Sequence, residues 1–252
     1  MCLILFAYKV HPLFNLIVAA NRDEFYKRAT APVHFWEDYP EILAGRDLEK
    51  RGTWMGITKE GRFSALTNYR DPKESTEGKR SRGELVASAL TYPHHMEDYL
   101  QTLSNKRLHY PGYNLLAGSQ HELYYYSNVD NKLEKIQPGV HGVSNHFLNT
   151  HWPKVDKGKQ ELEKSLHLAK EDLVDHLFSI LTQADPFPDE QLPKTGVPLE
   201  WERMLSSLFI KSDDYGTRSS TVLLMSDQQI EFVERVYTHG EDRKDQTYSI
   251  KL

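Results

Sequence analysis

The chain carries a single cysteine, and it is the second residue. Methionine aminopeptidase generally removes Met1 when residue 2 is small, and cysteine qualifies. Removal places a thiol and a free α-amine on one residue. An α-amine titrates near about 7.7–8.0 and a free thiol near about 8.5, so the amine can take the thiol proton at neutral pH. Nucleophile and base then share Cys2, the N-terminal variant of the activated-nucleophile arrangement. The plainer role for a lone cysteine is a small buried hydrophobe in a strand. Four polar clusters beside apolar runs weigh against it: Asn21-Arg22-Asp23-Glu24, Thr67-Asn68-Tyr69-Arg70, Ser144-Asn145-His146 and Thr217-Arg218-Ser219-Ser220-Thr221. Singly, a strand-end asparagine is a turn former, and Arg218 is a surface ion-pair member. Together with Cys2 they are candidates for one site.

Strands must carry these clusters. Residues 2–8 and 14–20 are short apolar runs separated by a proline-bearing segment, which predicts an N-terminal hairpin. Residues 53–58 and 62–68 flank Lys59-Glu60-Gly61 and predict a second hairpin, with Gly61 free to take positive φ. The polar stretch 71–81 reads as a loop with a solvated Lys/Arg cluster. Helical spacing of apolar residues predicts helices over 83–91, 95–107, 153–168 and 170–183. Short strands are expected at 113–118, 122–127 and 132–137. A proline-rich acidic loop over 184–199 leads to a short helix at 200–208, and strands at 219–226, 229–236 and 246–251 close the chain. Hairpins with helices inserted between the strand groups point to antiparallel sheets packed against helices.

The bulk numbers exclude several functions. With 252 residues, the chain has 31 basic against 36 acidic side chains, a net charge of −5. That argues against a nucleic-acid binder, which usually carries a basic excess. A chain of this length buries roughly 70–75% of its unfolded surface and needs no disulfide or metal to hold a core. One cysteine permits no intrachain disulfide and no cysteine zinc site. No apolar run approaches the roughly 18 residues of a membrane span, and the run at 2–8 lacks the basic lead and clean flanks of a signal peptide. A cytoplasmic location is the expectation. Walker A, GxGxxG, GxSxG and HExxH patterns do not occur. His141, His146 and His151 flank Asn145 at spacings of five, which suits a surface or supporting role better than a metal site. Trp36, Trp54, Trp152 and Trp201 read as core or groove residues.

These stretches form a family pattern. The chain resembles the NRDE family, also called the transport and Golgi organisation protein 2 family. The matching segments are Met1-Cys2-Leu3, NRDE at 21–24, AGRD at 44–47, GTWMG at 52–56, LTNYR at 66–70, SRGELV at 81–86, HGVSN at 141–145, HWPK at 151–154 and YGTRSST at 215–221. The family is similar to N-terminal nucleophile hydrolases of the choloylglycine hydrolase and penicillin V acylase type. The resemblance implies an α+β fold, a four-layer αββα sandwich of two antiparallel sheets formed by residues 1–252 as one domain. It also implies roles. Cys2 would attack an amide or thioester, and Asp23 would orient its amine. Asn68 and Asn145 would donate to the oxyanion, and Arg218 would stabilise the thiolate. Asn21, Arg22, Tyr69, Arg70 and His146 are the expected substrate contacts. Neither a cofactor nor a metal is expected. The resemblance departs at one point. The hydrolases carry an arginine just before their Asn-x-Asp pattern, whereas Arg22 lies between Asn21 and Asp23, a shift that turns a strand side chain to the opposite face. An altered or absent hydrolase activity therefore stays open. The rival reading is a carrier or chaperone for a lipid, an acyl-coenzyme A or heme on the same fold. A protein that binds only a macromolecular partner is a third.

Overall fold

The computed structural model describes residues 2–242 and 245–252. β1 (Cys2–Tyr8) is apolar throughout because both of its faces are covered. Ile4, Phe6 and Tyr8 point into one core, while Leu3, Leu5 and Ala7 point into another. β1 pairs antiparallel with β2 (Leu16–Phe25), as the expected hairpin requires. β2 runs five residues past the expected end, so the NRDE segment lies inside the strand and not in a turn after it.

β3 (Thr30–Phe35) and β4 (Ile42–Asp47) follow, in a stretch whose sequence pattern gives no element. β5 (Met55–Thr58) and β6 (Arg62–Asn68) form the second hairpin, with Gly61 at φ 84°. α1 (Gly83–Thr91) and α2 (Met96–Asn105) precede β7 (Tyr113–Ser119), β8 (Leu123–Ser127), β9 (Lys132–Lys135) and β10 (Gly139–Val143). Then come α3 (Pro153–Ser165), α4 (Lys170–Leu181) and α5 (Leu199–Ser206). β11 (Tyr215–Met225), β12 (Gln229–Thr238), β13 (Glu241–Asp242) and β14 (Gln246–Lys251) end the chain.

The strands make two antiparallel sheets. One runs β10-β1-β2-β11-β12, with β13 and β14 both pairing to β12; the other runs β3 to β9 in sequence order. A core of Phe6, Val18, Phe63, Leu116, Leu223 and Phe232 lies between the sheets. Leu162 of α3 and Leu173 and Leu177 of α4 cover the outer face of the first sheet. Leu85, Val86 and Leu100 of α1 and α2 cover the second. The layers are therefore αββα. No helix among the described residues is long and apolar enough to cross a membrane.

Candidate active site

Strand alternation decides where Cys2 looks. It lies on the inter-sheet face of β1 with Ile4 and Phe6, at the end of the strand, where the two sheets part. In the register it stands opposite Arg22 of β2. Directly opposed residues of an antiparallel pair share a face, so the displaced arginine faces the thiol after all. Cys2, Arg22, Asp23 and Asn68 border one cavity of about 350 Å³. A second, much smaller cavity of about 10 Å³ adjoins Cys2 among Ile4, Ala20, Met55 and Leu66.

Arg22 is held by stacking. Its guanidinium carbon sits 4.2 Å from the ring centre of Trp54, and the residue is only 6% exposed. Such contacts contribute about 2 kcal/mol when desolvated. Its Nη1 is buried and has no hydrogen-bond partner among the described residues. Gly45 makes room for the platform, because a Cβ there would lie 2.2 Å from the Trp54 ring. Gly52 likewise lets the chain pass against Gly83 at the start of α1, where a Cβ would meet the Gly83 carbonyl carbon at 2.4 Å. These approaches explain the glycine of AGRD and the first glycine of GTWMG.

Asp23 is 2% exposed and accepts a hydrogen bond from the Thr217 hydroxyl at 2.8 Å. Burial pushes its carboxyl up, against the charge of Lys154, the Thr217 hydroxyl and Arg22. Burial also pushes the Cys2 thiol up, and the Asp23 charge adds to this, while Arg22 and the Asp23 backbone N–H favour the thiolate. The Ser144 hydroxyl lies 3.1 Å from the Cys2 carbonyl oxygen and 3.3 Å from Asn145 Oδ1. Asn68 ends β6 on the facing sheet, across the cavity from β1. Asn145, fully buried, donates through Nδ2 to the Asn68 carbonyl at 3.0 Å, and its own carbonyl accepts from the Arg70 N–H at 2.8 Å. It thus braces Asn68 from behind and does not line the cavity.

The remaining expected residues lie elsewhere. Arg218 sits at a register shift in β11 between Thr217 and Ser219. Its Nη1 donates to the carbonyls of Phe25, Tyr26 and Arg28, fastening the turn after β2. Asn21 is a buried strut, donating to the Leu181 and Leu208 carbonyls and accepting from Ser220. Tyr69, Arg70 and His146 line a separate open cleft with Trp152. There Tyr69 and His146 pack with ring centres 5.0 Å apart, and Arg70 pairs with buried Glu202 at 2.9 Å. The cavity adds residues that the sequence does not single out. Six cationic side chains border it (Arg22, Arg28, Lys50, Lys79, Arg80 and Arg82) against three acidic ones. Lys79 and Arg80 are paired to Glu74 and Glu84, and Arg28 to Asp47. Arg22 and Arg82 form no ion pair among the described residues. Lys79 belongs to the 71–81 stretch that reads as a solvated loop, and Arg82 stands in the SRGELV segment, where the resemblance implies no role for it.

The model of the family described as "Transport and Golgi organisation 2" matches residues 1–239. The Transport and Golgi organization protein 2 homolog of Bos taurus is 35% identical over 258 residues, covering 93% of this chain and 92% of its own. The chain belongs to the Transport and Golgi organisation 2 family. The Drosophila melanogaster member is 31% identical, with 97% of this chain and 96% of its own covered. Among solved structures, a Caenorhabditis elegans ortholog of N-acylethanolamine-hydrolyzing acid amidase superposes with a TM-score of 0.55 at 11% identity. That match covers 88% of this chain and 92% of the other. It establishes for this Transport and Golgi organisation 2 member the fold of the N-terminal nucleophile hydrolases.

Proposed function

We propose that the protein is an N-terminal-cysteine amidohydrolase or acyltransferase acting on an amide or thioester of a small acylated molecule with an anionic head group. The observation that carries this reading is the Cys2–Arg22 pair, set face to face at a 350 Å³ cavity. With Met1 removed, the Cys2 amine takes the thiol proton and the sulfur attacks the carbonyl carbon. Asn68 donates to the oxyanion that forms. The amine returns its proton to the leaving group, with Asp23 orienting it. Water or a second nucleophile then frees the acyl group from sulfur. Arg22 and Arg82 hold the anionic end of the substrate, and a reducing cytoplasm suits a lone thiol nucleophile. The Caenorhabditis elegans ortholog of N-acylethanolamine-hydrolyzing acid amidase has this fold, which supports the same reaction class here.

The second reading is a carrier for a lipid, an acyl-coenzyme A or heme. One observation favours it: burial pushes both the Cys2 thiol and the Asp23 carboxyl towards their neutral, unreactive forms. Turnover of fluorogenic acyl amides and thioesters by protein expressed without an N-terminal tag separates the two. An enzyme loses turnover in Cys2→Ser while still binding the probe. Equal probe binding by both proteins, with turnover by neither, selects the carrier.

A further inference from the structure

One buried titratable side chain has no place in that chemistry. Lys154 lies in the first turn of α3, 2% exposed. Its ammonium donates to the Leu205 carbonyl at 2.9 Å and forms no ion pair among the described residues. Taking an ammonium out of water without a carboxylate partner costs several kcal/mol. Burial accordingly pushes Lys154 down to about 8. Something else must gain from the charge.

The surroundings identify it. α3 packs on the outer face of β1 and β10. Asn21 and Asp23 look to that same face of β2, as the bonds of Asn21 to the Leu181 and Leu208 carbonyls show. The charged and titratable groups acting on Asp23 are the N-terminal amine, Lys154 of α3, Arg22 in its own strand, Cys2 of β1, Tyr215 of β11, Tyr26 in the turn after β2 and Arg70 beyond β6, with the Thr217 hydroxyl donating to it. Around Lys154 stand Arg70, Asp23, Cys2 and Glu202. Arg22 is committed to the cavity face through Trp54, and Arg70 to Glu202. Among the described residues Lys154 has no carboxylate within 4 Å and no stacked ring.

We propose that Lys154 is a positioning residue, a counter-charge on α3 that acts with the N-terminal amine to favour the ionised form of Asp23 beside the Cys2 strand. It does not line the 350 Å³ cavity and touches no reacting atom, so it acts by its charge, on Asp23 first. Its role rests on the proposed use of Asp23 by Cys2, but the test reads titration and not turnover.

The experiment follows the Asp23 carboxyl carbon by NMR in protein labelled at aspartate, with the resonance assigned by its loss in Asp23→Asn. In Lys154→Met the Asp23 midpoint should rise by about one pH unit, a tenfold gain in proton affinity. In Lys154→Arg, which keeps the charge, it should stay near the wild-type value. Coupling is reciprocal, so in Asp23→Asn the Lys154 ammonium should titrate lower by the same factor. This second arm reads the coupling even if Lys154→Met does not fold. A lysine that only packs would leave both midpoints in place. An unmoved Asp23 midpoint in folded Lys154→Met, or an unmoved Lys154 midpoint in folded Asp23→Asn, overturns the proposal. Both shifts without any Cys2 acylation would uphold it and instead remove the enzyme reading.

Discussion

Replacing Lys154 by methionine should change how stability depends on pH, and the burial of its ammonium sets the size of the change. The side chain titrates at 10.5 in its ordinary state and at about 8 in the fold. Between those values the unfolded chain holds a proton that the native chain has shed, so stability rises with pH. The sign is that of a depressed lysine: the cost is fully present below about 8 and fades towards 10.5. At about 1.4 kcal/mol per decade, the rise between pH 7 and 10 is about 2–3 kcal/mol. For a chain of this size that is roughly 5–10 °C in Tm. Lys154→Met removes the titrating group and keeps the volume, so its curve should lack this rise. The difference between the two proteins cancels the titrations not coupled to Lys154, including those of the buried tyrosines Tyr113 and Tyr125, whose phenols burial holds above their ordinary range. The assay is urea unfolding at fixed temperature across that pH range. Parallel curves for wild type and variant would refute the reasoning, because the ammonium would then be hydrated in the native state.

Three further substitutions probe the cavity. Asn68→Ala should lower turnover of an acylated substrate by about 10²–10³ with little change in KM, read by steady-state kinetics beside an unchanged melt; equal falls in activity and Tm would make Asn68 a structural residue only. Gly45→Ala should push the Trp54 ring from its seat and with it Arg22, costing about 1–3 kcal/mol by overpacking and shifting tryptophan fluorescence; a wild-type spectrum and melt would show that the ring has another place to go. Arg218→Ala frees three carbonyls of the 25–28 turn, so it should cost about 1–3 kcal/mol and leave Cys2 alkylation by iodoacetamide within a few-fold of wild type, whereas a loss of alkylation at unchanged stability would return Arg218 to the thiol.

The architecture was legible where apolar pattern carries it. β1 and the second hairpin fall where their runs and Gly61 place them; the alternation of helix and strand groups anticipates antiparallel sheets packed against helices, and the family resemblance supplies their αββα order. β2 shows the limit. Asn21, Arg22 and Asp23 read as the polar end of a strand, yet all three are buried within it. Their burial depends on partners far along the chain, Thr217, Ser220 and Trp54, that no local pattern reveals. Arg218 misleads in the opposite way, since a register shift in β11 sends its side chain to the turn after β2. For Lys154 a signal did exist. It holds the same i, i+4, i+8 row of α3 as Gly158 and Leu162, all buried. A lysine in an apolar stripe reads as a snorkelling surface residue, and only the packing of Leu205 over it shows otherwise.

Whether Cys2 is an N-terminal nucleophile can be read from the mass of the intact protein. Protein expressed without a tag is mixed with a short acyl thioester bearing a phosphate or carboxylate head, then quenched in acid within the first turnover. The account predicts a chain lacking Met1 that gains one acyl group, mapped to Cys2 by fragmentation and absent in Cys2→Ser. A chain that retains Met1 and stays unacylated while still binding the thioester would contradict it.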